Sequence, residues 1–136
     1  MLVTAIVLYC VVALGLLAMA AKFGLGPVPA SHHAEAMSQD GVDVTPKLEM
    51  VLRGVYQAMA GAYLGLALLV VYLALVPIRA GQSEAALIGL ASLAVGVPGA
   101  YRARQLAIAA RVSTPWQMAA ILSLVAVAAT ILAILA

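Results

Sequence analysis

Two adjacent histidines, His32 and His33, are the side chains in this sequence best suited to acid–base or metal chemistry. They lie in Ser31–Met37, which reads as a short helix with Ser31 as its N-cap. Neighbouring residues on a helix point about 100° apart, so the pair is poorly placed to bind one metal ion. A zinc site wants three or four ligands, and only Glu35 and a loop aspartate could join His32. We predict no metal site and no cofactor. We expect the pair to be exposed or to face lipid headgroups, with an acid–base role as the alternative.

A second set of polar side chains recurs at helical spacing further along the chain. Glu49 precedes Arg53 by one turn, the favourable order for an ion pair, and Tyr56 and Gln57 follow. Polar groups a turn or more inside an apolar helix usually face other helices or a wet cavity. Tyrosine and glutamine can polarise a carbonyl or hydroxyl, and arginine can bind an anionic head. The predicted ligand-binding residues are Arg53, Tyr56, Gln57, Tyr101 and Gln105. The candidates for catalysis are His32, His33, Tyr56 and Gln57.

Structural roles compete with these functional ones. Tyr56, Gln57, Tyr101 and Gln105 could instead form an interhelical hydrogen-bond network that only holds the helices together. Arg102 and Arg104 are predicted to anchor the chain by reaching lipid phosphates, with Trp116 at the lipid–water boundary. Pro98 should kink its helix, because proline leaves the carbonyl of Ala94 without a donor.

The elements that position these groups follow from composition. Of the 136 residues, 66% are hydrophobic and 9% charged, whereas a soluble domain has about 45–50% apolar and about 25% charged residues. A bilayer core needs about 20 apolar residues per helix. We therefore predict an all-α fold with one domain, an integral membrane bundle of four transmembrane helices with short connections and one longer loop, 24–47. The predicted spans are about 2–23, 48–78, 85–106 and 115–136.

Local signals mark the ends and contacts of these helices. Thr45-Pro46 places a capping hydroxyl before a proline at the predicted start of a helix, and Thr114-Pro115 has the same arrangement. Gly61 and Gly65 form a GxxxG motif, which permits close helix approach. We expect that motif to pack within the bundle, with dimerisation as the alternative.

The basic residues predict an orientation. Of the seven Lys and Arg residues, only Arg79 falls on the side of the second connection. The other six fall at the opposite end: Lys22, Lys47, Arg53, Arg102, Arg104 and Arg111. Positive charge favours the cytoplasm, so the 24–47 loop is predicted to be cytoplasmic and both termini outside. In format and composition the chain resembles small four-span proteins of bacterial inner membranes, which implies that location.

The sequence is compatible with three functions. The first is a non-catalytic accessory protein that binds lipid or a partner, either as a homo-oligomer or within a larger membrane complex. The second is a membrane enzyme or binder, with isomerase- or cyclase-like acid–base chemistry, acting on a lipophilic small molecule at the cytoplasmic end. The third is a small transporter or channel, which usually needs an ionisable group deep in a span. A net charge of +2 does not suggest nucleic acid as a partner.

Overall fold

The computed structural model describes all 136 residues, and its ordered elements are helices. Helix α1 spans Leu2–Leu25, α2 spans Ser31–Gln39, α3 spans Pro46–Leu73 and α6 spans Trp116–Ile134. Four helical stretches are long and apolar enough to cross a membrane, which confirms the prediction of an all-helical chain with four such helices. They are Leu2–Leu25, Pro46–Ile78, Ser83–Ala109 and Trp116–Ile134.

The second and third of these stretches contain irregular turns. A π-helical turn, Ala74–Ile78, ends the second one around Pro77, where proline supplies no N–H for the α-helical hydrogen bond. The third comprises a 3₁₀ turn at Ser83–Ala85, helix α4 at Ala86–Gly89, a second 3₁₀ turn at Leu90–Ser92, and helix α5 at Leu93–Ala109.

Helix α5 continues as an α-helix through Pro98, where the sequence predicts a kink, and the irregular turn of this stretch lies earlier, at Leu90–Ser92. There the N–H of Leu90 bonds to the carbonyl of Leu87, three residues back, so the carbonyl of Ala86 is left for other donors.

Of the three predicted N-caps, Ser31, Thr45 and Thr114, the structure confirms only Thr45. The hydroxyl of Thr45 accepts from the N–H of Leu48 at 3.3 Å, as expected. Ser31 makes no capping bond, because α2 begins one residue earlier than predicted, with Ala30 as N-cap. Thr114 does not cap α6 either. Its side chain is buried, and its hydroxyl donates to the carbonyl of Ala103 on α5 at 2.9 Å.

Helix α1 is the element on which the others assemble. It packs extensively against α3 on one side and α6 on the other, and α5 packs against α6. The main core joins Tyr9, Val12 and Ala13 of α1 to residues such as Val70 and Ala129. Outward faces remain apolar, with Leu14, Leu68 and Leu124 between 61% and 70% exposed.

One polar cluster ties three elements together inside that core. The hydroxyl of Tyr9 donates to the carbonyl of Ala86 at 3.0 Å and lies 2.8 Å from the hydroxyl oxygen of Thr130. The hydroxyl of Thr130 in turn reaches the carbonyl of Ala126 at 2.9 Å. Gly89 must lack a side chain here, since its Cβ would fall 2.6 Å from the Tyr9 ring. The cluster fixes α1, α4 and α6 against one another.

Candidate functional site

A partly open, mostly apolar cavity of about 230 Å³ lies at the α2 end of the helices. Helices α1, α3, α5 and α6 all contribute to its wall, and α2 contributes one side chain, His32. The lining residues are Val12, Gly15, Leu16, Met19, Phe23, His32, Met59, Tyr63, Ser92, Val95, Gly96, Gly99, Arg102, Ala103, Pro115, Ala119, Leu122 and Ser123. An engineered protein cavity of about 150 Å³ admits benzene, so this volume has room for about nine carbon-sized atoms.

The cavity lies where α3 and α5 make little contact with each other. Helix α3 contacts α4 and the 3₁₀ turn at Leu90–Ser92, but its contact with α5 is sparse at most. Helix α1 fills the space between them only in part. On the other side α5 is held close to α6, since a Cβ on Gly96 would lie 2.5 Å from the Ser123 hydroxyl oxygen. The close packing of α5 against α6, with little contact to α3, therefore leaves a gap beside α3.

The two serine hydroxyls of the wall are already bonded within their own helical stretches. Ser92 donates to the carbonyl of Gly89 at 2.9 Å, and Ser123 donates to that of Ala119 at 2.8 Å. Each hydroxyl keeps only acceptor capacity. The wall of the cavity thus offers apolar contact, with its hydrogen-bond donors confined to Tyr63, His32 and Arg102.

Helix α2 is fixed to α3 through one tyrosine hydroxyl. The hydroxyl of Tyr56 accepts from the N–H of Ala30 at 3.1 Å, and it is hydrogen-bonded to Nδ1 of His33. Because the amide can only donate, the tyrosine proton is free to go to His33, which places the neutral imidazole's own proton on Nε2. Phe23 packs edge-on against Tyr56, with ring centroids 5.4 Å apart. We call these contacts among Ala30, His33 and Tyr56 the tyrosine latch.

The histidines are not the exposed pair that was expected. His32 is buried and lines the cavity, and His33 is half-buried against Tyr56. Their ring centroids lie 4.3 Å apart. Burial lowers the pKa of both imidazoles, and the nearby charge of Lys22 lowers each pKa further, as does His33 for His32. Both rings are therefore neutral at pH 7, and His32 offers one donor and one acceptor to the cavity.

The structure does not gather the five predicted ligand-binding residues around one cavity. Tyr56 is buried in the latch, while Arg53 pairs with Glu49 at 3.0 Å on an exposed surface. Gln57 is exposed, since it follows Tyr56 by one residue and so points elsewhere on α3.

The two predicted ligand-binding residues of α5 also face outward. Tyr101 is 57% exposed and Gln105 is exposed. The Gln105 side chain accepts from the Arg102 guanidinium at 3.0 Å within the same helix. None of the five lines the cavity, so their binding role stays a prediction without support from this geometry.

The three predicted anchors separate into two groups. Arg104 lies over the ring of Trp116, 5.8 Å from its centroid, which is compatible with a shared place at the membrane surface. Arg102 differs from these two, because it also lines the cavity, which the sequence did not indicate.

Of the four candidates for catalysis, only His32 lines the cavity. His33 and Tyr56 are occupied with each other, and Gln57 faces away. Among these candidates, proton transfer to a molecule in the cavity would therefore fall to His32. No three His, Cys, Asp or Glu side chains come within reach of one metal ion.

The cavity wall was missed in the sequence because its members are ordinary apolar and small residues. Gly96, Gly99 and Ala103 on α5 carried the available signal, since small residues at helical spacing leave room beside a helix. In a chain rich in small residues, that signal does not stand out.

Comparison of the chain with protein-family models, curated proteins and solved structures finds no match.

Proposed function

We propose that this chain is a multi-pass membrane protein that binds a lipophilic molecule in the cavity beneath α2. Four helices are long and apolar enough to cross a membrane. Large side chains such as Leu14 and Leu124 are 65% and 70% exposed, and lipid is the solvent that such surfaces favour. The distribution of Lys and Arg supports an orientation with α2 in the cytoplasm and both termini outside, and we propose a bacterial inner membrane as the site.

The observation that carries the binding proposal is the cavity itself. In a membrane, helices associate mainly through van der Waals packing, because lipid is as apolar as their side chains. Two helices with no ligand between them therefore gain contact by packing together. Here α3 and α5 stay apart, and the gap has apolar walls with a few polar groups towards one end. Apolar walls with a few polar groups are the usual make-up of a small-molecule site.

The role we propose is binding rather than catalysis. A molecule in the cavity would contact one neutral imidazole, that of His32, with no second acid–base partner in the wall apart from Tyr63. Helix α2 acts as a cover that is released when the tyrosine latch opens.

Filling the cavity tests this proposal. A Cβ on Gly99 meets no atom within 4 Å, so Gly99→Leu places a side chain in open space at the cavity wall. Ala103→Leu on the next turn is a second filling variant. Gly61→Leu is the matched control, because a Cβ there also meets nothing within 4 Å but lies outside the cavity.

Native mass spectrometry of the detergent-solubilised protein with decanol measures the outcome. We expect both filling variants to lose bound decanol by about tenfold or more, since the apolar contact area is removed, and Gly61→Leu to bind as the wild type does. Equal binding by all four proteins would rule out the cavity as the site.

A further inference from the structure

Charged and polar residues are unevenly distributed around the cavity. Arg102 is the only charged residue in its wall, and no carboxylate lines it. Lys22 lies close enough to lower the pKa of both His32 and His33 by its charge. The charged groups closest to this end of the cavity are therefore positive, and Arg102 carries its charge where the cavity meets the surface, since its side chain is exposed.

None of the acidic residues nearby lies in the cavity wall. Glu49 is paired with Arg53 at 3.0 Å. The other acids of the α1–α3 connection, Glu35, Asp40 and Asp43, are exposed to solvent and lie outside the cavity wall.

Arg102 has donors to spare. A guanidinium carries five N–H donors, and one nitrogen of Arg102 donates to Gln105 at 3.0 Å. A carboxylate or phosphate could take two parallel bonds from the remaining fork, the geometry arginine favours. The neutral His32 imidazole adds one further N–H donor at the same cavity.

We infer that the ligand is a single-chain amphiphile with an anionic head, whose head binds Arg102 and whose apolar chain occupies the cavity. This inference rests on the proposed function and specifies its ligand class. The volume of about 230 Å³ accommodates one short apolar segment of about nine carbon-sized atoms, not the paired chains of a bilayer phospholipid.

A matched pair of probes tests the head and the chain separately. Decanoate and decanol have the same chain and differ in charge. Arg102→Gln removes the charge and the fork but keeps hydrogen-bonding groups. Arg104→Gln is the control, because Arg104 lies over Trp116 and outside the cavity wall.

Binding of each probe to each variant is measured by native mass spectrometry at pH 7.5. We expect Arg102→Gln to weaken decanoate about tenfold or more, the scale of a charge-assisted hydrogen bond, and to leave decanol unchanged. Arg104→Gln should change neither. Gly99→Leu should weaken both probes.

The outcomes separate this inference from the proposal it rests on. If Arg102→Gln weakens neither probe, or both equally, while Gly99→Leu weakens both, the anionic head is wrong and the binding cavity stands. If Gly99→Leu weakens neither, the cavity proposal itself fails. A third outcome is that decanoate fails to bind while the wild type, and not Arg102→Gln, retains anionic phospholipid from vesicles containing phosphatidylglycerol. In that case Arg102 is a headgroup anchor, and the inference is overturned.

Discussion

Removing one oxygen from the tyrosine latch should release α2. The N–H of Ala30, a buried residue, has the Tyr56 hydroxyl as its partner at 3.1 Å, and Nδ1 of His33 receives the tyrosine proton. The substitution Tyr56→Phe leaves the ring in place against Phe23 and deletes both bonds.

The size of the effect follows from what each group loses. A buried N–H without a partner costs about 1–3 kcal/mol. Half-buried His33 can turn to water, so its loss adds only part of an ordinary hydrogen bond, about 0.5 kcal/mol. The sum is about 1.5–3.5 kcal/mol, and a value of about 2 kcal/mol, in the lower part of that range, corresponds to roughly a 30-fold rise in the fraction of molecules with α2 undocked.

Hydrogen exchange with mass spectrometry on protein in nanodiscs reads this fraction directly, because amides in a locally opened segment exchange in proportion to the open population. Peptides covering Ser31–Gln39 should exchange roughly 30-fold faster in the Tyr56→Phe protein, with little change in α6. Tyr101→Phe is the control, since its ring is 57% exposed. Unchanged exchange of α2 in the Tyr56→Phe protein would refute the latch.

Two further predictions address other groups. Lowering the pH should undock α2: burial and the charge of Lys22 depress the pKa of His33, so below the ordinary histidine pKa of about 6.5 the undocked state binds the proton more readily. Docking should be complete above that pH and weaken as pH falls; exchange of α2 at pH 7.5 and 5.5 measures this, and no difference would contradict it. Tyr9→Phe should destabilise the protein by about 1–2 kcal/mol in detergent unfolding experiments, because it removes the hydroxyl that joins Ala86 and Thr130; Tyr72→Phe, an exposed tyrosine, should have no such effect.

The amino-acid sequence predicts the helical elements well and their contacts poorly. Apolar runs and the Thr45-Pro46 signal act within one segment, and both are confirmed. The expected packing of the GxxxG motif is wrong: a Cβ on Gly61 or Gly65 meets nothing within 4 Å, because the motif faces away from the other helices.

The contacts at the site were equally hard to predict from the sequence. Tyr56 and Gln57 are neighbours in sequence but point in different directions, and only Tyr56 meets another helix, where it packs against Phe23 of α1. The hydroxyl of Tyr9 could not be assigned from sequence either, since its partners lie 77 and 121 residues away. Polar residues marked the correct end of the helices, while the cavity wall depended on the packing of α5 against α6 and not against α3.

The most direct test of a lipid-accessible binding cavity is to locate a bound lipophile in the membrane. A ten-carbon alcohol with a diazirine at its tail, irradiated with the protein in liposomes, inserts into the side chains it touches. We predict labels on Met19, Met59 and Leu122 of the cavity wall, suppressed by Gly99→Leu and by excess decanol. Labels confined to outward residues such as Leu14, Leu68 and Leu124, and unaffected by Gly99→Leu, would contradict the account.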